Sequence, residues 1–307
     1  MANRASGSIS VLDAASGDVL GAHVLPDNGE PMYVTATADG SRVFVGDRAN
    51  SQVVVFDGNG YSVIGTVPAG AGVFHMWQDP DDRQLWVNND IDNTATVIDP
   101  GSLTVIATVP MPADLVEAGY KPHDVVVDPT GPFAYVTLVG GETKDWVVQF
   151  NTHSFHEVKR AAVGLDPHVS LTSANKYLYV PAQNSDVVHV FQRRSLQLVT
   201  ELAVPGAHGA AMSPDGSMFY TTNLPGGGAD GLFAIDTASN SVIGSADTSF
   251  VVPHNVMVTP NGNLFVTHSG GTSDEVTVHA VSAGAPVPSE VVEVMVGLNP
   301  FGLAHVP

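Results

Sequence analysis

Short apolar segments alternate with clusters of turn residues along the whole chain. Segments such as VFVG, TATVID and VIATVP are rich in Val, Ile and Thr. They are separated by Pro, Gly, Asn and Asp, as in SPDG (213–216) and TPNG (259–262). In such turns Pro restricts φ and Gly supplies a positive φ. The pattern therefore predicts many short strands joined by tight turns.

These segments recur as a repeat, of which one copy begins at Gly72 and reads GVFHMWQDPDDRQLWVNNDIDNTATVIDPGSLTVIATVP. Each copy starts with an apolar strand, and one residue near the start of that strand can be aligned between copies. The aligned residues are Met32, His75, His123, His168, His208, His254 and Phe301, at spacings of 43, 48, 45, 40, 46 and 47 residues. A period of about 40 to 50 residues is typical of a four-stranded propeller blade.

The two ends of the chain carry incomplete copies of the repeat. The N-terminal GSISVLDAASGDVLGAHVLP matches the last two strands of a blade, and the C-terminal PFGLAHVP matches a first strand. We therefore predict one all-β domain over residues 1–307, a seven-bladed β-propeller closed by a blade shared between the termini. The second strand of this blade is not evident. An open β-solenoid or a pair of sandwiches does not account for complementary half-repeats.

The repeated phrases also carry a family resemblance. DPTGPFAYVTL, SPDGSMFYTTN and TPNGNLFVTH are each followed by an apolar strand, and such strands end near Asp in TVID and FAID. In this the chain resembles the YVTN-repeat family of seven-bladed propellers. It departs from the family pattern at VPAQNSD and carries an insertion in VTLVGGETKDW. The resemblance implies the fold but selects no activity, since the family and its neighbours include surface-layer proteins, binding proteins and enzymes.

Composition excludes several partners and chemistries. The net charge is -20, with 11 Lys and Arg against 31 Asp and Glu, so nucleic acid and anionic membranes are not expected as partners. The absence of Cys excludes disulfides, thiolate catalysis and Cys-type zinc sites. The start MANRASGSIS lacks the apolar stretch of a signal peptide. We expect a soluble monomer of unknown compartment, for which export is possible if a leader has been removed.

Histidine occupies five of the seven aligned positions. If the first strand of each blade lines the central axis, these side chains form a ring near one mouth of the channel. Imidazole-rich sites suit copper, zinc, iron and nickel. The predicted metal ligands are three or four of His75, His123, His168, His208 and His254, with His268 in LFVTHSGG as a further candidate. The alternative is that the repeats copied one ancestral His that caps backbone groups.

The connection from Val109 to Asp124, VPMPADLVEAGYKPHD, is longer than its counterparts and leads into His123. As a lid over the mouth, it would present Asp114, Glu117 or Tyr120 to a ligand as candidate catalytic groups. The alternative is a surface excursion with a short helix at ADLVEAG.

Together these patterns predict a metal-dependent enzyme that acts on a small-molecule substrate at the axial mouth, with oxidoreductase or lyase chemistry. The alternative function is a non-catalytic ligand- or protein-binding propeller whose histidines are structural.

Overall fold

The computed structural model describes residues 1–171, 176–282 and 285–307. Within these residues the chain forms seven antiparallel sheets, so the predicted all-β seven-bladed β-propeller is confirmed. Six sheets have four strands, which we call blades 1 to 6, and the sheet at the N-terminus has three. In each sheet, strands that are consecutive in the sequence are paired.

The strands follow one another in chain order with short connections. The N-terminal sheet contains β1 (Ala2–Asn3), β2 (Ser8–Leu12) and β3 (Val19–Val24). Blade 1 contains β4 (Pro31–Ala36), β5 (Arg42–Asp47), β6 (Gln52–Asp57) and β7 (Val63–Pro68). Blade 2 contains β8 (Val73–Gln78), β9 (Leu85–Asn89), β10 (Thr94–Asp99) and β11 (Thr104–Pro110). Blade 3 contains β12 (Lys121–Val127), β13 (Phe133–Val139), β14 (Asp145–Asn151) and β15 (Glu157–Val163).

Blades 4 to 6 continue the same order. Blade 4 contains β16 (Ser170–Leu171), β17 (Tyr177–Ala182), β18 (Val187–Gln192) and β19 (Gln197–Ala203). Blade 5 contains β20 (Ala207–Met212), β21 (Met218–Asn223), β22 (Leu232–Asp236) and β23 (Ser241–Ala246). Blade 6 contains β24 (Pro253–Val258), β25 (Leu264–His268), β26 (Glu275–Ser282) and β27 (Ala285–Met295). Two short 3-10 helices cover Pro26–Asn28 and Gln183–Ser185.

The middle strands of a blade are buried on both faces because neighbouring blades pack on either side. Val53, Val54 and Val55 of β6 are fully buried, which explains the continuous apolar run in this strand. The outermost strand is different, since Val63 and Ile64 of β7 are 43% and 50% exposed. The core therefore lies between the blades, and the outer strands form the rim.

Turn chemistry fixes the connection between the third and fourth strands. Asp57, Asp99 and Asp236 end the third strands of their blades, and one carboxylate oxygen of each accepts a backbone N–H three residues later. Side chains of this type close a turn by replacing a backbone hydrogen bond. The recurrent Asp at the end of TVID and FAID is thus a turn-forming residue.

The first strands lie closest to the axis. β4 contacts β8, β8 contacts β12, and β20 contacts both β16 and β24. The first residues of these strands therefore come together at one end of the central channel.

Backbone hydrogen bonds join the two ends of the chain. Ala2 donates its N–H to the Gly302 carbonyl and accepts the N–H of Phe301, both at 2.9 Å. Asn3 is also bridged to Pro300. The N-terminal sheet contains three strands from the N-terminal part of the chain. The sequence pattern predicted only two of them, because the two-residue strand β1 was not evident in it.

One α-helix, α1 (Ala113–Glu117), occurs within the described part of the chain. Leu115 of α1 is buried and packs in the apolar core around blade 3. Among the described residues, no helix has the length and apolar character needed to cross a membrane.

Candidate metal centre

A β-bulge begins the first strand in five of the six four-stranded blades. The ladder between the first and second strands shifts its register after Pro31, Val73, Pro122, Ala207 and Pro253. Two residues follow each of these positions before pairing resumes. Bulges re-aim side chains, and His75, His123, His208 and His254 all lie at bulge positions. In blade 4, His168 follows Pro167, which is bridged to the second strand.

This register corrects the alignment of one predicted ligand. Phe74, and not His75, occupies the same bulge position as His123, because Val73 and Pro122 are the equivalent paired residues. His75 lies at the second bulge position, as Asp124 does in blade 3. The sequence alignment was wrong by one residue because it matched the two histidines to each other, and not the residues that pair with the second strand.

Polar residues of the second strands hold the bulges in place across blade boundaries. The Thr222 hydroxyl accepts the N–H of Gly209 at 2.8 Å and donates to the carbonyl of His254 in the next blade at 2.9 Å. Thr267 donates in the same way to the Phe301 carbonyl, and Asn88 to the His123 carbonyl. Position 209 requires Gly, since a Cβ there would lie 2.5 Å from the His254 carbonyl oxygen. The backbone around the axis is therefore fixed by buried hydrogen bonds.

The five predicted histidines lie together around the axis. Ring centroids are 5.2 Å apart for His75 and His123, 4.6 Å for His123 and His168, and 3.7 Å for His168 and His208. His254 follows at 4.6 Å from His208. The circle is completed by Phe301, which lies 4.1 Å from His254 and 5.3 Å from Tyr33, and by Tyr33, which stacks on His75 at 3.6 Å.

Asp124 brings two of these histidines into one group. Its Oδ1 lies 2.8 Å from His75 Nδ1, and its Oδ2 lies 3.5 Å from His168 Nδ1. The donor atoms of the three residues all lie within 4.8 Å of one another. Two imidazoles and one carboxylate form a ligand set that proteins use for Zn²⁺ and for non-haem Fe²⁺.

A second group shares His168 with the first. His123 Nδ1 lies 3.7 Å from Asp166 Oδ1 and 3.3 Å from the Pro167 carbonyl oxygen. The donor atoms of His123, Asp166 and His168 also lie within 4.8 Å of one another. This group is looser and more exposed than the first, since the side chain of Asp166 is 29% exposed and that of Asp124 is 13% exposed.

Burial favours the neutral form of His75, His123, His208 and His254. It lowers the pKa of His123, His208 and His254 well below 6.5, and nearby imidazoles lower the pKa of each further. Burial also lowers the pKa of His75, although Asp124 acts in the opposite direction. Neutral imidazoles carry the lone pairs that a metal ion requires.

The carboxyl group of Asp124 is ionised. Burial alone would raise its pKa, but the attraction of His75 and the hydrogen bonds from His168 and His75 outweigh this effect. The net pKa of Asp124 lies below its usual range. The carboxylate of Asp124 therefore places one negative charge between His75 and His168.

Three buried imidazole nitrogens of the ring have no hydrogen-bond partner within the described protein: His75 Nε2, His168 Nε2 and His208 Nδ1. A buried polar atom without a partner costs about 1–3 kcal/mol. A ligand that accepts or shares these lone pairs would recover this energy, so the ring is chemically suited to bind one.

A cavity of about 490 Å³ occupies the central channel on one side of the ring. His75, Asp124 and His168 line its inner end, and Ala38 and Pro80, in the turns between first and second strands, line its outer end. Ala38 and Pro80 are exposed, so the cavity opens at that end. At the other end, most ring side chains are buried and close the channel. The predicted site is thus reached through the channel, from the end opposite the mouth that carries the histidines.

His268 is placed apart from both donor groups. Its side chain is fully buried, and its Nδ1 donates to the Val251 carbonyl at 3.0 Å. Its Nε2 accepts from the Thr277 hydroxyl, whose oxygen lies 3.0 Å from His279 Nε2. Both nitrogens of His268 are therefore engaged in hydrogen bonds inside blade 6.

The candidate catalytic residues of the long connection do not meet the ring. Asp114 forms an ion pair with Arg160, at 2.8 Å, on β15, the outermost strand of blade 3. The Tyr120 hydroxyl donates to the Lys144 carbonyl at 3.2 Å, and Glu117 is exposed. The expected short helix is present as α1, and it packs on the periphery of the blade. The lid expectation is therefore not supported by the position of this segment.

Asp124 and Asp166 were missed as candidate ligands by the sequence reasoning. Each lies within two residues of a ring histidine, in KPHD and DPH. A carboxylate adjacent to a repeated histidine was the available signal. It was not decisive, because Asp is common in the loops and turns of this chain.

The fold and the site together define a seven-bladed propeller with a histidine-lined axial site. The sequence profile of the family described as "Lactonase, 7-bladed beta-propeller" matches residues 1–207, so the chain belongs to this family. No curated protein matches the chain by sequence.

Two solved structures are similar in fold. Hydrazine synthase from Kuenenia stuttgartiensis has a TM-score of 0.77 and 19% sequence identity, with 95% of this chain and 94% of that chain covered. The β-propeller domain of Cps50 (Swd1) from Myceliophteria thermophila has a TM-score of 0.70 and 12% identity, with coverage of 87% and 88%. At these identities the likeness concerns the fold alone.

Proposed function

We propose that this protein is a metal-dependent enzyme that acts on a small molecule in the central cavity, with His75, Asp124 and His168 as the metal ligands. The observation that carries the proposal is the grouping of these three donor atoms within 4.8 Å at the inner end of the cavity. Zinc and iron are the metals that this ligand set favours among the four expected from the sequence.

A divalent metal bound here would act as a Lewis acid and polarise a carbonyl group of the substrate. Residues of the chain supply the negative charge, the positioning of a ligand and the exclusion of water that such a site requires. Asp124 provides the negative charge, His75 is held in position by the stacked ring of Tyr33, and the closed ring excludes water from one side. His123, His208 and His254 are the supporting residues in this arrangement.

The reaction to test first is hydrolysis of a lactone, which the name of the family suggests. Water adds to the ester carbonyl carbon and loses a proton, the ring C–O bond breaks, and the released alkoxide takes up that proton to give the hydroxy acid. Oxidoreductase and lyase chemistry, expected from the sequence, remain the alternatives for the same metal site.

Metal binding is the direct test. The protein is purified without a His tag, treated with a chelator and titrated with Zn²⁺ and Fe²⁺ by calorimetry. We expect one ion per chain in the wild type and at least a tenfold weaker affinity in His168→Gln. The control is His156→Gln, because His156 is exposed and lies outside the ring.

Lactone hydrolysis is then followed with dihydrocoumarin before and after metal addition. Activity that requires the metal and is lost in His168→Gln supports the enzyme. Wild-type protein that binds no metal, with ring substitutions that leave stability unchanged, would favour a non-catalytic binding propeller.

A further inference from the structure

The walls of the cavity are mostly apolar. Val34, Met76, Met212, Met257 and Leu303 line it, together with the half-exposed Trp77. These residues belong to first strands of different blades and to the C-terminal segment, so the apolar surface surrounds the channel. A volume of about 490 Å³ lies within the range of about 300–1,000 Å³ that small-molecule sites occupy.

No Lys or Arg side chain lines the cavity within the described part of the chain. Residues 172–175 and 283–284, which the structure does not describe, are uncharged in the sequence. A bound carboxylate or phosphate would therefore meet no fixed positive side chain in this channel. The net charge of -20 adds a repulsive field for anions.

The carboxylates that line the cavity are already engaged. Asp79 accepts a hydrogen bond from Arg83 at 2.7 Å, and Asp82 accepts the N–H of Ala38 at 3.0 Å. Asp124 is held between His75 and His168. Asp79 is thus paired with a cation, Asp82 keeps its charge in the turn at the exposed outer end, and Asp124 lies at the ring. Between the two ends, the described walls of the cavity carry no unpaired carboxylate.

Further polar groups lie at the inner end, beside the ring. Asn255 Nδ2 lies 3.4 Å from the Tyr33 hydroxyl and 2.9 Å from His254 Nδ1, and Tyr33 stacks on His75 at 3.6 Å. A ligand inside the channel therefore meets mostly apolar side chains along the walls and polar groups at the ring. Small-molecule sites are usually built in this way, with a few polar groups that orient a ligand whose remaining surface contacts apolar side chains.

We propose that the substrate of this site is an uncharged, largely apolar molecule that enters from the exposed end of the channel with its single polar group, a carbonyl, directed at the ring. The proposal rests on the proposed function for the location of the site. It adds the charge and polarity of the substrate, which the proposed function leaves open.

The test compares three probes that share one skeleton and differ in charge. Dihydrocoumarin is uncharged, and its 6-carboxylate and 6-trimethylammonium derivatives carry one negative and one positive charge. Binding to the full-length, chelator-treated protein is measured by calorimetry, so that neither metal nor turnover contributes. We expect the uncharged lactone to bind at least tenfold more tightly than either charged derivative.

Lysine substitutions test whether the probes bind in the cavity and whether charge decides their affinity. Met212→Lys adds a positive charge to the cavity wall, and we expect it to weaken the uncharged probe and strengthen the carboxylate at least tenfold. Val242→Lys is the matched control, because Val242 lies on the outer strand of the same blade and is 37% exposed. Met257→Lys is the second cavity variant if Met212→Lys fails to fold, as judged by circular dichroism.

Wild-type protein that binds the carboxylate or the ammonium derivative at least as tightly as the uncharged lactone would overturn the proposal. Absence of binding by the uncharged lactone at millimolar concentration would also overturn it. Both results are independent of the metal titration, so a failure of the substrate proposal is distinct from a failure of the metal proposal.

Discussion

Asp124 Oδ1 lies 2.8 Å from Nδ1 of His75, although the two residues belong to different blades and are separated by nearly fifty positions in the chain. The other oxygen of the same carboxylate faces His168. One carboxylate therefore links three consecutive blades at the axis. The predictions below follow from this arrangement and from the hydrogen bonds that support it.

Replacement of Asp124 tests which donor group binds a metal. Asp124→Asn keeps the shape of the side chain and removes its charge, so we expect at least a tenfold loss of Zn²⁺ affinity. Asp166→Asn is the matched variant in the second group, and we expect it to keep the wild-type affinity. Calorimetric titration of both proteins is the measurement. A larger loss in Asp166→Asn would assign the metal to His123, Asp166 and His168.

The Thr222 hydroxyl on blade 5 donates a hydrogen bond to the His254 carbonyl in the bulge of blade 6. Replacement of Thr222 tests whether this hydrogen bond holds the ring in position. Thr222→Val keeps the side-chain shape but leaves the Gly209 N–H and the His254 carbonyl without their partner. We expect a loss of about 1–3 kcal/mol in the free energy of unfolding, measured with urea. The exposed Thr66 on β7 provides the control Thr66→Val. Equal stability of the two variants would contradict the proposed role.

Stability at acid pH depends in part on His279. Burial lowers its pKa from 6.5 to about 4. Between these values the unfolded chain binds a proton that the folded chain does not, so stability present above pH 6.5 is lost as the pH falls toward 4. The loss is at most about 3 kcal/mol for this residue.

The measurement is urea unfolding of the wild type and His279→Gln between pH 4 and 8. Gln can keep the hydrogen bond that His279 Nε2 donates to Thr277. We expect a shallower decline of stability with acid in the variant, although the other buried histidines retain their share. Parallel curves for the two proteins would show that His279 does not contribute.

The buried ion pair between blades 3 and 4 should be costly to break. Arg193 Nη1 lies 3.0 Å from Asp128 Oδ1, and both side chains are almost completely buried. Arg193→Met leaves the carboxylate buried without its partner, and we expect a loss of about 3–5 kcal/mol in the free energy of unfolding. The double variant Arg193→Met with Asp128→Asn removes both charges and should regain much of this loss. A double variant that is less stable than Arg193→Met would contradict this explanation.

Much of the fold could be predicted because short local segments of the sequence define the repeat. SPDG and TPNG specify turns, and the apolar runs between them specify strands that other blades cover. The short strand β1 escaped notice because two residues carry no recognisable pattern. The segment with Asp114 was ambiguous for a different reason, since its position depends on Arg160 in a distant part of the sequence.

The sequence by itself determined the number of blades and the presence of a histidine near the start of five first strands, because both follow from a period that local residues define. Only the tertiary structure decided which atoms meet. The strand register places His75 at the second bulge position, and the packing of blades 2, 3 and 4 brings Asp124 between His75 and His168. The tertiary structure also decided from which end a ligand can enter the channel, since the side chains that close the other end come from all around the ring. Such contacts join residues that no local pattern relates.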